Sequence, residues 1–540
     1  MPPFLWYNRH MEINTYTEQK LSEYSKTDLI RLVLNQQKDA EALNRKLDLL
    51  IEQVHLANQQ RFGQKTERTE IFDQMSFCLN EAEDILQGSS AEEPVIGHVV
   101  KEHVRKPRPK GKREEDLKGL PVTVIEHTLS EERLQELFGG KYHRLPDEVY
   151  KRLAYHPATF EVEEHHIAVY AGGKDQTVVK ADRPCELLKN SIATPSLVAG
   201  ILNAKYVNAI PIHRMEQEFK RNDINLSRQV MSHWAILSAE RYLSLIYDRM
   251  HKALYDASVI NADETPFKVM KDGRPASANS YMWVYHTGKY SGAPPVFLYE
   301  YTPTRKTDHP RTFLKAYNGV VVCDGYQPYH IIESERPDEL TVAGCWVHAK
   351  RRFSQICKSL GKAAKGTIAQ EANNRIAAIF HVDKMVSGDS PDEKFKHRKN
   401  SVEPLVNSFF EWASQAINTV EEKSATWTGL QYCLNQEKYL RAFLSDPRIP
   451  MDNNDAERSI RSFCVGRKNW HIIDTVGGAK SSAIHYSIAE TAKANKLKPY
   501  EYFKHLLTQI PKHMDDTDLS FLDALLPWSA ELPEVCIMQA

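Results

Sequence analysis

Apolar residues set the first long rhythm of the chain. Leu29, Val33, Gln36, Ala40, Leu43, Leu47, Leu50, Val54 and Ala57 keep an unbroken 4-3 spacing, with polar residues between them. A seam of four heptads predicts a coiled-coil helix within residues 25–81, or one long helix packed on its own chain. Ser25-Lys26-Thr27-Asp28 has the form of a capping box at its start, with Asp in place of Glu. Gln36 lies in the seam, where a polar group costs stability and fixes register. Arg61-Phe62-Gly63 ends the run, and residues 1–24 are expected as a tail.

Residues 82–120 are polar and rich in helix breakers. Lys101, Arg105, Lys106, Arg108, Lys110, Lys112 and Arg113 crowd together there, interrupted by Pro107, Pro109 and Gly111. Proline and like charge keep such a stretch extended, as a solvated linker or as an arm that tracks phosphates. Alternation at Val122, Val124 and Ile125, at residues 159–162 and at residues 167–170, with Gly172-Gly173 as a turn, predicts a small β unit over 121–190. Residues 191–256 read as helical. Pro195 suits a first helical position, and the spacing of the helices fits either a helix-turn-helix-like reader of DNA or an ordinary helical hairpin.

Strand patterns then dominate. Val259–Phe267, Tyr281–Tyr285, Val296–Tyr301, Val320–Cys323 and Val342–Trp346 are five candidates, with a helix holding Phe313 and Leu314 before the fourth. Three strands, then helix, strand, helix and strand, is the order of an RNase-H-like α/β domain. Residues 257–360 are assigned to its first part and 446–510 to its second, with an all-helical insertion at 361–445 and a tail at 511–540. The fold class expected is therefore multidomain α and α/β.

At 540 residues the chain is too long for one core, and roughly three or four domains are expected. A net charge of −1 excludes a global positive field, so any nucleic-acid binding must rest on local basic clusters. The eight cysteines are scattered with no Cys-x-x-Cys pair, which argues against a disulfide framework or a zinc ribbon and for a reducing cytoplasm. No run is apolar enough to cross a bilayer, so no membrane partner is expected.

Three carboxylates stand out. Asp263 lies in a strand-like run, Asp324 follows the apolar Val320-Val321-Val322-Cys323, and Glu457 lies in the first turns of a predicted helix. Acids at strand ends plus one on a later helix can converge on two divalent cations, which hold the attacking and leaving oxygens of a phosphodiester. Strand alternation lets only one of Asp263 and Glu264 face the metals; Asp263 is preferred, with Glu264 supporting it. Asp324-Gly325 is also a plain turn signal, and Asp452 and Asp455 compete with Glu457. Mg²⁺, with Mn²⁺ as substitute, matches such an oxygen-only set, and no zinc is expected. Arg351, Arg352, Arg458, Arg461, Arg467 and Lys468 flank the acids, and with Lys106, Arg108 and Lys110 they are the candidate phosphate contacts. His348 is a candidate phosphate contact or a support for a metal ligand.

Several stretches together resemble the insertion-sequence-66 family of transposases. They are Arg61-Phe62-Gly63, Ala262-Asp263-Glu264-Thr265-Pro266, Asp324-Gly325-Tyr326, Gly344–Phe353, Asn453–Arg458, Gly466–Trp470, Glu490–Asn495, Pro499-Tyr500 and Leu525–Trp528. The resemblance implies a DDE-type core of RNase H fold with Asp263, Asp324 and Glu457 as metal-binding triad, a helical insertion before the glutamate, and strand transfer at the ends of a mobile element. Expected partners are the terminal inverted repeats and target DNA, a second copy through the coiled coil, and small accessory proteins of the element, all in the bacterial cytoplasm at the nucleoid. Family members usually carry a cysteine-rich zinc ribbon before the catalytic domain. Here no cysteine lies between Cys78 and Cys185, which puts that module's metal in doubt. The alternatives are a DNA-binding descendant without strand transfer, or an RNase-H-fold nuclease.

Overall fold

The computed structural model describes residues 24–62, 160–167, 169–172, 177–180, 185–189, 191–275, 277–385 and 390–539. The chain divides into two units, Met1–Gly88 with Cys185–Ala540, and Ser89–Pro184. In the second unit, β1 (Val169–Gly172) and β2 (Thr177–Lys180) pair antiparallel with Val169 opposite Lys180, the hairpin expected around Gly172. The strand expected at 159–162 does not form within residues 160–167, where Val162 is exposed among charged neighbours. The basic run with Lys106, Arg108 and Lys110 lies outside the described residues.

The first unit opens with α1 (Lys26–Phe62). Ser25 Oγ donates to Asp28 Oδ2 at 2.6 Å and accepts the Asp28 N–H at 3.2 Å, so Ser25 caps the helix, while the Asp28 carboxylate bonds the Ser25 hydroxyl in place of the backbone N–H of a full capping box. Val33, Leu43, Leu47, Leu50 and Val54 of the seam are exposed on this single helix. Next come α2 (Pro195–Leu202), α3 (Ile212–Arg221), α4 (Arg228–Ser238) and α5 (Ser244–Leu254). Thr194 and Ser227 cap α2 and α4 by accepting from Leu197 and Val230 N–H. Val198, Leu202, Trp234, Leu243 and Ile246 from these helices share one core with the sheet that follows.

That sheet holds β3 (Val259–Lys271), β4 (Ser280–Thr287), β5 (Phe297–Thr302), β6 (Gly319–Cys323) and β7 (Leu340–Gly344) in the order β5-β4-β3-β6-β7. The first three strands are antiparallel; β6 and β7 run parallel to β3. The start of β3 is buried at four successive positions, Val259 to Ala262, so both of its faces are covered there, polar Asn261 included. Helices α6 (Asp308–Phe313) and α7 (Gln327–Glu335) make the crossovers, and α8 (Trp346–Leu360) follows β7. Trp346, expected to close the fifth strand, instead opens α8, with its indole N–H on the Leu440 carbonyl at 2.7 Å.

Helices α9 (Ile368–Lys384), α10 (Pro391–His397), α11 (Glu403–Ala416), α12 (Ala425–Asn435) and α13 (Glu437–Arg441) build a second core with α8, around Trp346, Phe353, Ile376, Phe409 and Phe443. The chain then returns through α14 (Asn454–Trp470) and a strand the periodicity does not announce, β8 (Ile472–Thr475), which runs parallel to the outer half of β3. Helices α15 (Val476–Ala494), α16 (Pro499–Gln509) and α17 (Phe521–Ala524) complete the unit. The expected tail at 511–540 is corrected here: Leu522, Leu525, Leu526 and Leu532 are buried, and Tyr502 donates its hydroxyl to the Leu525 carbonyl at 2.7 Å. No described helix is long and apolar enough to cross a membrane.

Candidate active site

Strand register brings the first two acids together. Asn261 stands opposite Val322 in the parallel pair of β3 and β6, so Asp263 and Asp324, each two residues further on, emerge level at the same end of adjacent strands. Asp263 Oδ1 accepts the Glu264 N–H at 2.8 Å, and Asp324 Oδ1 accepts the Tyr326 N–H at 3.1 Å. Gly325 holds φ at +91°, and a Cβ there would meet the Tyr432 hydroxyl at 3.0 Å and Gln436 Oε1 at 3.1 Å. From the helices at 361–445, Tyr432 donates its hydroxyl to the Asp324 carbonyl at 2.8 Å.

The third acid is brought in by an asparagine. Asn453 is fully buried at the start of α14, and its side chain makes no helix cap. Instead its amide donates to the Ala262 carbonyl and accepts from Asn261, both at 2.8 Å, while its backbone N–H reaches Cys345 Sγ at 3.2 Å. The first turn of α14 is thereby pinned to the strand segment just before Asp263 and to the start of α8. Glu457 follows one helical turn later and is buried. Its rivals do other work: Asp452 accepts the Asn454 N–H at 3.0 Å, and Asp455 pairs with exposed Arg458 at 3.5 Å.

Electrostatics reports the same convergence. Burial pushes the Asp263 carboxyl well above the ordinary carboxylate range, reinforced by the charges of Glu264, Glu457 and Asp324. Glu457 is raised by burial and by Asp324, against the lowering pull of Arg351. Arg351 Nη2 lies 3.3 and 3.0 Å from the two Glu457 oxygens, and His348 Nε2 lies 3.7 Å from one of them. Burial holds the His348 imidazole down, to about 4, so the ring is neutral near pH 7. Glu264 is pushed up to about 7 by burial and by Asp324, with Arg305 opposing. Arg305 Nε donates to Glu264 Oε1 at 2.6 Å, and its guanidinium lies 3.9 Å from the centre of the Tyr326 ring.

The expected phosphate contacts divide. Arg352, Arg458 and Lys468 are exposed, with Arg352 lying 4.1 Å from the centre of the Tyr432 ring, and Arg461 is half-buried. Arg467 departs from expectation: it is buried, and its guanidinium donates to Thr265 Oγ1 at 3.2 Å and to the Pro266 carbonyl. It braces the strand carrying Asp263. Sequence reasoning missed Arg305 and Tyr432 altogether, since neither lies near an acid in sequence. Asn453 stands at the N-cap position of α14, but the long-range bonds of its side chain leave no local trace in the sequence.

Among the described residues, no three His, Cys, Asp or Glu side chains are gathered closely enough to hold an ion unaided. The donor chemistry of the three acids nonetheless fits a hard cation. All are oxygen donors, and Asp263 lies beside Glu264, Glu457 and Asp324, whose like charges a cation would offset.

Comparison with known proteins identifies the family. A family model described as Transposase IS66 family matches residues 190–481, and one described as IS66 C-terminal element matches 487–528. A third, described as Transposase C of IS166 homeodomain, matches 49–125, upstream of the helices expected as a DNA reader. Three uncharacterized proteins of Sinorhizobium fredii are similar. y4qI is 25% identical over 507 residues, covering 91% of this chain and 90% of its own length. y4hP is 25% identical over 86% of both chains, and y4jD is 26% identical over 73% of this chain and 78% of its own.

Proposed function

As the chain belongs to the IS66 family of transposases, we propose that it cuts DNA at the ends of an insertion sequence and joins those ends to a target, with Asp263, Asp324 and Glu457 as its metal-binding carboxylates. One observation carries the reading: Asp263 and Asp324 leave adjacent parallel strands at the same level, and Asn453 ties the Glu457 helix to that spot. The sheet order β5-β4-β3-β6-β7, antiparallel then parallel, supports an RNase-H-like core in two parts, 257–360 and 446–510, with the helices of 361–445 inserted between them. The exposed seam of α1 supports pairing of two copies, and the homeodomain match at 49–125 supports recognition of the terminal inverted repeats.

Bound Mg²⁺, or Mn²⁺ in its place, would polarise the scissile phosphate and acidify the attacking water or hydroxyl. The protein's own part is orientation and charge. Asp263 is steadied by the Glu264 N–H, Asp324 by the Tyr326 N–H and the Tyr432 hydroxyl below its carbonyl, and Glu457 by the Asn453 knot. Hydrolysis forms a bond from water oxygen to phosphorus and breaks the bond to the 3′ oxygen, which leaves as a 3′-hydroxyl. That hydroxyl then attacks a target phosphodiester, and the target's own 3′ oxygen departs.

The test is cleavage of end-containing DNA with Mg²⁺, wild type against Asp324→Ala. A fall on the order of a thousandfold is expected, with DNA binding retained in a mobility-shift assay. Equal cleavage by the variant would overturn the assignment. Absence of any joined target product would leave a nuclease, and binding without cutting a DNA-binding descendant.

A further inference from the structure

Arg351 is in an unusual position for a phosphate contact. Its side chain is only 13% exposed, and one terminal nitrogen, Nη2, serves both oxygens of Glu457. The other, Nη1, is buried and has no hydrogen-bond acceptor among the described residues. His348, one turn earlier on α8, adds a ring nitrogen 3.7 Å from the same carboxylate, and its own Nδ1 is buried without a partner among the described residues. A buried guanidinium donor with nothing to donate to is costly, and a phosphate oxygen is the acceptor that suits it best. A carboxylate whose two oxygens are already held by a guanidinium is poorly placed to take a divalent cation, since the two positive charges repel at such range.

Resting on the active-site reading above, we propose that Arg351 exchanges partners between Glu457 and DNA. Without DNA it neutralises Glu457 and keeps that carboxylate from the metal. When a backbone phosphate enters, the guanidinium turns to it, Glu457 is released, and the third metal ligand becomes available. DNA binding and metal binding are then coupled through one side chain, and the metal site is completed where a phosphate is present to be cut. By linkage the coupling is reciprocal: metal tightens DNA by the factor by which DNA tightens metal.

The experiment measures Mn²⁺ binding to the full chain by electron paramagnetic resonance, with and without a random-sequence DNA duplex. In the wild type the duplex is expected to tighten Mn²⁺ binding about five- to a hundredfold, the usual span of such couplings. Arg351→Met is expected to bind Mn²⁺ more tightly than wild type without DNA, by a similar factor, and to lose the effect of the duplex. A folded Arg351→Met that binds Mn²⁺ no better than wild type, or keeps the full duplex effect, overturns the proposal. Should Arg351→Met fail to fold, Arg351→Lys retains the charge but not the fork. It must then show a reduced duplex effect, and an unchanged one overturns the proposal equally. Asp324→Ala separates the two levels: Mn²⁺ binding unaltered in that variant defeats the triad itself, whatever Arg351 does.

Discussion

Gly466, midway along α14, has no room for a methyl group. A Cβ there would lie 2.1 Å from Trp470 Cη2 and 2.2 Å from the Tyr486 hydroxyl. Tyr486 is fully buried, with the rings of Tyr206, Tyr299 and Phe463 around it, so Trp470 must yield. Alanine would gain about 1 kcal/mol of helix propensity, but overpacking costs about 1–3 kcal/mol, and here backbone and a rigid ring meet. Gly466→Ala is expected to lower the Tm by several degrees in thermal unfolding; an unchanged or raised Tm would show that the helix slides to make room. His485 sets a pH limit at the same scale. It is fully buried on α15, with Nε2 3.0 Å from the Ala235 carbonyl, and burial holds its pKa down to about 3. The unfolded chain titrates near 6.5, so the unfolded state takes up the proton first. This histidine's contribution is whole above pH 6.5 and is lost progressively as pH falls toward 3. Between pH 6.5 and 5 the loss approaches about 2 kcal/mol. His485→Gln should flatten the decline of urea midpoints between pH 7 and 5, and an equally steep decline in the variant would assign it elsewhere.

Elements carry the next level of specificity. The strands β3 to β7 are legible as strands because short apolar or alternating runs are bounded by turn residues, which is local information. β8 is not, because Ile472-Ile473-Asp474-Thr475 is short and half-exposed, and it becomes a strand only through the free outer half of β3. The helix at 26–62 is legible in full, down to its capping pair, but what its apolar stripe faces is not. Leu43 and Leu47 are 68% and 53% exposed, so replacing both with lysine removes nothing from the chain's own core. If α1 joins two copies, the double variant sediments as a monomer while the Tm of the main body holds. Equal mass for both proteins would rule out α1 as the pairing element. The acids follow the same division: Asp263 and Asp324 are readable as strand-end carboxylates and Glu457 as an acid in the first turns of a helix, with Asp452 and Asp455 competing, whereas the bonds from Asn453 that fix how α14 sits are not readable.

For the molecule as a whole, the C-terminal thirty residues belong to the core. Leu522, Leu525, Leu526 and Leu532 are buried there, at about 1.5–3 kcal/mol each, together as large as the margin by which most domains are stable. A chain ending at Ile510 is therefore expected to aggregate or to melt far below the full chain, whereas loss of a solvated tail would leave the Tm unmoved. Short-range pattern was sufficient for the heptad helix, the strand order, the helical stretch between the second and third acids, and the motifs that identify the family. Each of these is written in neighbours a few positions apart. It was insufficient for Asn453 bonding to Asn261 across 192 positions, for Arg351 reaching Glu457 across 106, and for Arg467 turning inward to Thr265. Such pairs have no period and no local propensity. Packing selects them, because a buried polar group must find a partner wherever the folded chain supplies one.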